Sequence, residues 1–403
     1  MANTLLTIDM ITNEALMVLE NNLVMARRVN RMYDWQFARS GGKIGNVVNV
    51  RKPVRYIVSD GPTLQVQDAT ETYVAVPLQS RKHVDFTFSS EDLTLSIDMF
   101  SDRFIKPAVA ALANKVDLDG LALYKDVYQS VGTPGTTPSA LLTYLQAGVK
   151  LDDSATPMDG MRNMVLNPLA QATIVDALKG LFQSSEQIKK QYMMGQMGTA
   201  VGFEWMMDQN INVHATGTWS VAGAMNGATA SGASSIVTNG WTTAALKKGD
   251  VFTIGTLAAG VVAVNPQSRQ STGALQQFVV TADISDTAGD MTIAISPTIY
   301  SSGPQQNVVA VPLTAQAINM LGTTGVQTPQ NLAFHKDAFT LVMADLEMPG
   351  GVDMAARKSD PNSGISLRVV RQYDINNDLF PCRIDVLYGW ATLRPELACR
   401  VAG

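Results

Sequence analysis

The stretch TGTWSVAGAMNGATASGASSIVTNGWTTAAL, residues 216–246, carries no charged side chain and is built largely from Gly, Ala, Ser, Thr and Val. Charge stays sparse, and the same small and β-branched residues continue, to about Pro312. Within it short β-prone runs recur at Ser235–Val237, Asp250–Ile254, Gly260–Val264, Gln277–Ala282, Met291–Ile295 and Val308–Val311, separated by turn residues. Regular spacing of this kind predicts a small sandwich or barrel of about six strands. On either side, Met158–His214 and Asn331–Pro349 mix helix-like and strand-like patterns and look like two halves of one α/β unit. The block therefore reads as an all-β domain placed in a loop of another domain.

Working outward toward the N-terminus, Leu16, Leu19, Leu23 and Val29 recur near helical spacing, with Arg27, Arg28 and Arg31 gathered behind them where a helix dipole favours cations. This predicts an amphipathic arm over about Asp9–Tyr33. After Gly41 and Gly42 the pattern turns β-like: Val47–Ser59 and Tyr73–Phe88 flank the turn-rich DGPTLQVQDATE, and Val84, Phe86 and Phe88 alternate with Asp85 and Thr87. Residues 42–88 are expected to form one long two-stranded projection. Ser89 with Asp92 resembles a capping box opening at Ser90. A helix is predicted over about Ile97–Gln129 from Phe100, Phe104, Ala108, Leu112, Val116, Leu123 and Val127, with Pro107 starting, bending or interrupting it. VGTPGTTP marks a loop. Residues 141–215 alternate helix-like PLAQATIVDALKGLF with strand-like MRNMVLN, and after the block two final strands are expected at Ile365–Tyr373 and Cys382–Thr392. The fold class is α+β.

No catalytic pattern rises from the chemistry. His83, His214 and His335 lie in unlike segments without metal-site spacing, and each is expected at a surface or interface. TTGVQTP and TGTWSVAGAMNG lack the ending of a phosphate loop and read as turns, and no nucleophile elbow is present. The carboxylate pairs Asp152 with Asp153 and Glu91 with Asp92 read as caps or solvated groups, and Cys382 and Cys399 as two reduced core thiols. No catalytic, cofactor-binding or metal-binding residue is expected. The formal net charge of -5, without a basic tail, argues against a tight grip on DNA, and no apolar run is long enough for a bilayer. The N-terminus has acidic residues where a secretory signal needs basic ones, so no export is expected.

Basic residues do gather on the predicted projection, Arg51, Lys52 and Arg55 on one side and Arg81 and Lys82 on the other. Closing the projection about residues 60–71 would bring them face to face, where they repel unless acids of another chain intervene. They are the candidate intersubunit contacts. The other reading is a solvated strand surface whose charges prevent edge-to-edge aggregation.

Three phrases then carry a resemblance: LKKGDVFTIGTL at 246–257 with FVVTADIS and AISPTIY, NLAFHKDAFTLVMADLEMP at 331–349, and RIDVLYGWATLRPELACRV at 383–401. Together with the order of parts, they resemble the major capsid proteins of tailed double-stranded DNA phages, of the Hong Kong ninety-seven fold. Within these the chain is similar to the short-tailed-phage branch with an inserted β-barrel. The resemblance implies an N-terminal arm at 1–41 and an extended loop at 42–88 lying over a neighbouring subunit. It implies a spine helix with part of a peripheral domain at 89–140, an axial domain at 141–215 and 313–350, and the inserted β-domain at 216–312. Peripheral strands at 351–403 would include Tyr388, Trp390 and Arg394. It further implies self-assembly into hexamers and pentamers of an icosahedral shell in the host cytoplasm, with no cofactor and no membrane. A separate scaffolding protein and a portal would be partners, and packaged DNA would be enclosed but not tightly bound. No residue pair for a covalent cross-link is identified, so shell contacts are expected to be non-covalent. Rival expectations are a non-viral compartment of the same fold, a β-rich adhesin or carbohydrate-binding protein, and a hydrolase.

Overall fold

In the strand Met291–Ile299 the side chains of Met291, Ile293 and Ile295 are buried while Thr292 is exposed, the alternation that a half-buried strand requires. The computed structural model describes residues 8–31, 47–67, 71–89, 104–178, 198–359 and 364–402. Met291–Ile299 lies inside a six-stranded antiparallel sheet ordered Ile318–Met320, Val251–Ile254, Gln277–Val280, Met291–Ile299, Ala233–Asn239 and Ala224–Met225. The two outer strands meet. Met225 N donates to Gln316 O at 2.9 Å, Ala315 N to Met225 O at 2.9 Å and Ile318 N to Gly223 O at 2.9 Å. These bonds close the sheet into a barrel and remove its edges. Its interior is lined by apolar side chains, among them Ile236, Trp241, Phe252, Phe278, Val280, Ile293, Ile299 and Ile318. Trp241 Nε1 donates to Thr238 Oγ1 at 2.8 Å, and that hydroxyl to Met291 O at 3.0 Å, so the two polar groups enter the core already paired.

The barrel extends past the predicted limit at Pro312. Val308–Val311 forms no strand; Val308 makes one isolated bridge to Ala263, and the closing strand is Ile318–Met320. Val213–Ala215 and Gln327–Pro329 pair antiparallel, so the chain enters and leaves the barrel side by side.

Beyond that stem lies a mixed sheet ordered Ser130–Val131, Ala398–Val401, Asn331–His335, Arg162–Leu166, Phe203–Met207 and Thr199–Ala200. Asn331–His335 and Arg162–Leu166, at its centre, are buried along their full lengths. Helix Leu141–Asp153 lays Tyr144, Ala147 and Leu151 into the same core as Ala170 and Ile174 of helix Pro168–Leu178. Ala398–Val401 therefore completes this sheet and not, as expected from sequence, a peripheral one.

A second compact unit comprises Met1–Lys52, Tyr73–Gly120 and Phe339–Leu393, the first comprising Pro53–Thr72, Leu121–Ala338 and Arg394–Gly403. In the second, Leu379–Thr392 is the long central strand of a five-stranded antiparallel sheet with Phe339–Met343, Ser366–Arg371, Met354–Ser359 and Ser80–Ser89. Phe339–Met343 thus belongs here, although the sequence reading assigned all of 313–350 to the other α/β domain.

One α-helix runs Lys106–Leu121 with Pro107 in its first turn, where a missing N–H costs nothing, and the chain then tightens into a 3-10 turn at Ala122–Asp126. Residues 97–103 of the predicted helix, and the Asp92 end of the predicted capping box, lie outside the described residues. Gly120 is required by closeness: a Cβ there would meet Trp390 at 2.5 Å, and Trp390 Nε1 donates to Val116 O at 3.2 Å. Helix Ile8–Asn22 is followed by a turn in which Asp117 accepts Val24 N at 2.6 Å and Ala26 N at 3.0 Å. Leu16, Leu19, Leu23 and Val29 are buried, so over these residues the predicted arm is packed into its own chain.

Candidate intersubunit surface

The five basic residues singled out in the sequence are not brought face to face. Strand Val47–Arg51 pairs with Tyr73–Pro77 in a register that sets Arg51 opposite Tyr73 and Val47 opposite Pro77. The pairing ends at Pro77, which has no N–H to continue a ladder, and Ser80–Ser89 turns away to pair along its whole length with Leu379–Tyr388. The predicted single projection is therefore a short two-stranded ribbon plus a strand of another sheet.

Arg81 and Arg55 both find a carboxylate within the chain. Arg81 bonds Asp385 at 2.8 Å, and Asp385, fully buried, also receives Arg368 at 2.6 and 3.0 Å and Arg383 at 3.2 Å. Burial pushes the Asp385 carboxyl up, but the hydrogen bonds and charges of Arg368 and Arg81 outweigh it and hold the group below the usual carboxylate range. Arg55 bonds Glu396 at 2.8 Å, which Arg394 shares at 3.1 Å. For Arg55 and Arg81 the acids are residues far along the same chain. Lys82, with Arg81, His83 and Val84, still lines a groove whose other wall is Ala111, Leu112 and Lys115.

What the charge pattern missed is apolar. Between the ribbon strands the chain runs through 52–72, with Val58 exposed to 91%, Leu64 to 85% and Val66 to 82%, beside exposed Tyr56. Ile57 N donates to Gln67 Oε1 at 2.9 Å and Gln67 Nε2 donates back to Ile57 O, so one side chain holds the two limbs of the turn together. Large apolar groups held outward in this way form an exposed apolar stretch. In IVSDGPTLQV the aliphatic residues are interspersed with turn formers, so they show no strand or helix period.

The histidines correct another expectation. His83 is exposed beside Asp85 at 2.8 Å, whereas His335 is buried against Asp159 at 3.1 Å and His214 against Asp250 at 2.9 Å. Both cysteines are buried and unpaired, and burial pushes the Cys382 thiol up to about 11 and the Cys399 thiol to about 12. Among the described residues no group of three His, Cys, Asp or Glu could hold a metal, and no helix is long and apolar enough to cross a membrane.

With this geometry in hand, comparison with known proteins gives one family. Residues 1–403 match the family model described as P22 coat protein, gene protein 5. No curated protein matches the sequence. Among solved structures the chain is similar to one from Mycobacterium phage Che8, with 14% identity over 94% of this chain and 90% of that one and a TM-score of 0.44. It is similar to the capsid structure of the cyanophage P-SCSP1u at 11% identity, 93% and 88% coverage and a TM-score of 0.41. A virus-like particle from Pyrococcus furiosus matches at 10% identity, 98% coverage of each chain and a TM-score of 0.39.

Proposed function

This chain belongs to the P22 coat protein family, and from that premise we propose how its parts build a shell. It is a phage major capsid protein, and the match along residues 1–403 is the observation that carries this. In our reading its copies close into an icosahedral shell of pentamers and hexamers, formed in the host cytoplasm with a separate scaffolding protein and a portal, around packaged double-stranded DNA. The formal net charge of -5 favours a wall that contains DNA without adhering to it.

The packing supports a finer assignment within this reading. The turn at 53–72 is the extended loop that lies over a neighbouring subunit, and exposed Val58, Leu64 and Val66 supply the contact. Lys106–Leu121 is the spine helix, the five-stranded sheet the peripheral domain and the mixed sheet the axial one. The closed barrel, reached through the paired strands Val213–Ala215 and Gln327–Pro329, is the inserted domain of the short-tailed-phage branch. Weak contacts repeated through many copies give a firm shell while each remains reversible.

Negative-stain electron microscopy of the expressed chain, with and without a candidate scaffolding protein, tests this reading. Closed particles of uniform diameter are expected. Material that stays monomeric at every concentration, with every helper protein tried, would overturn it.

A further inference from the structure

Two of the phrases that marked the family meet in the fold at one buried polar cluster. Asp250 ends the LKKGD turn and is 2% exposed; its Oδ2 accepts Lys247 N at 2.8 Å, and its two oxygens accept Gly217 N at 3.2 and 3.1 Å. Its Oδ1 also lies 2.9 Å from His214 Nε2, and His214 Nδ1 lies 3.1 Å from Tyr124 OH. A carboxylate accepts, so Nε2 donates to Asp250, while Nδ1 and the tyrosine hydroxyl share the second hydrogen bond of the ring. Arg400, from the ACRV strand and 2% exposed, donates Nε and Nη2 to Val127 O at 2.8 and 2.6 Å and Nη1 to Gly249 O at 2.7 Å. Its guanidinium lies over the Tyr124 ring at 5.5 Å. Burial lowers Arg400 to about 10 and raises Tyr124 to about 12, which leaves both protonated at neutral pH.

The members come from both sides of the stem. Lys247–Asp250 and Gly217 belong to the barrel, while Tyr124, Val127 and Arg400 belong to the segments around the mixed sheet, and His214 is in the stem itself. The barrel thus brings the carboxylate and a carbonyl to a cation buried on the sheet side, and neither side is electrostatically complete alone. We propose that Tyr124, His214, Asp250 and Arg400 form a charged joint that holds the barrel at one fixed attitude on the mixed sheet. The barrel core does not depend on it, because that core is closed and apolar. Attachment does not depend on it alone, because Gln277 and Ser130 exchange two bonds of 2.8 Å and Tyr128 packs on Val251 and Val279. The joint supplies orientation. Gly217 is part of the same device, since a Cβ there would meet Ala245 O at 2.4 Å and Asp250 Oδ2 at 2.6 Å.

Hydrogen exchange read by mass spectrometry on the full chain tests the joint without relying on shell assembly. Asp250→Asn turns an amide N–H₂ toward donors, and should speed exchange at residues 213–217, 247–250 and 398–401 by roughly 10- to 100-fold, the range for losing charge-assisted bonds. Exchange within Gln277–Val280 and Met291–Ile295 should stay at the wild-type rate. Tyr124→Phe, which deletes one hydroxyl and leaves the packing, should give the same pattern at roughly 2- to 10-fold. It carries the test if the first variant does not fold. Equal loss of protection in barrel strands and joint would reduce the cluster to general stabilisation and overturn the proposal, as would unchanged exchange at the joint in the folded variants.

Discussion

The barrel and the five-stranded sheet bury their strands by opposite means. The barrel closes on itself, keeps its interior apolar, and brings together strands from one contiguous stretch of chain. The sheet pairs Ser80–Ser89 with Leu379–Tyr388 across the length of the sequence and places a fully buried Asp385 among Arg81, Arg368 and Arg383. Apolar closure is self-sufficient, because burial is non-directional and a barrel has no edge to satisfy. A sheet fastened by charge is conditional, because each partner becomes a liability once the other is removed. One region is a body that folds around itself; the other is a frame assembled from distant parts.

The sharpest way to break this contrast is to damage each region by its own principle. Phe278→Ala removes a ring buried completely in the barrel and stacked on Phe252 at 5.9 Å, and should cost about 4 kcal/mol of stability. Urea denaturation followed by tryptophan fluorescence measures it, Trp241 being in the same core. Asp385→Asn strands Arg368 and Arg81 without a carboxylate and should cost about 3 kcal/mol. If the asparagine variant were as stable as the wild type, the sheet would not be fastened by charge. A pH series separates the two regions further. The Asp385 carboxyl is held below its ordinary range in the fold, so its stabilisation is present above the unfolded carboxylate value near 3.9 and is lost as pH falls through the lower folded value. Asp385→Asn should therefore flatten the acid limb of stability against pH, and Phe278→Ala should shift the whole curve without changing its slope.

The same contrast explains what could be read in the sequence. Barrel strands announced themselves through Met291, Ile293 and Ile295, and the arm helix through Leu16, Leu19 and Leu23, because local periodicity is the imprint of a local burial rule. Ser80–Ser89 was legible as a strand from Val84, Phe86 and Phe88, but its partner was not, since alternation says which face is buried and nothing about register. That is why Arg81 was set against Arg51 when it meets Asp385. The closing strand Ile318–Met320 was missed because three residues show too little alternation to register as a pattern. His214 and Asp250 stand on either side of a long stretch of barrel, and only the closed fold reveals them as neighbours. Among the candidate contact residues the basic ones are conspicuous in sequence, whereas Val58, Leu64 and Val66, exposed in the fold, lie among turn formers.

A smaller effect tests whether the barrel interior tolerates polar groups only in pairs. Trp241→Phe keeps most of the ring volume and deletes the Nε1–H that reaches Thr238, leaving that hydroxyl still bonded to Met291 O. A loss of about 1 kcal/mol is expected, against about 4 kcal/mol for Phe278→Ala. A loss as large as that of Phe278→Ala would mean that the barrel, too, is held by specific polar bonds, and the contrast would weaken.

The smallest effect on stability should accompany the largest effect on assembly. Leu64 is exposed to 85% on the turn at 53–72, whose limbs are clasped by Gln67, so Leu64→Ser removes apolar surface that is already in water. Its unfolding free energy should stay within about 0.5 kcal/mol of the wild type. Burying such a side chain against a neighbouring copy would contribute about 1.5–3 kcal/mol at each contact, repeated in every subunit. Shell yield, measured by sedimentation at matched concentration, should therefore fall steeply in a variant whose monomer is intact. Normal yield would place the contact elsewhere, and Val58→Ser together with Val66→Ser would then show whether the turn has any share in it. A monomer destabilised by more than 1 kcal/mol would mean that Leu64 packs within its own chain, and the turn would join the barrel among the regions that complete themselves.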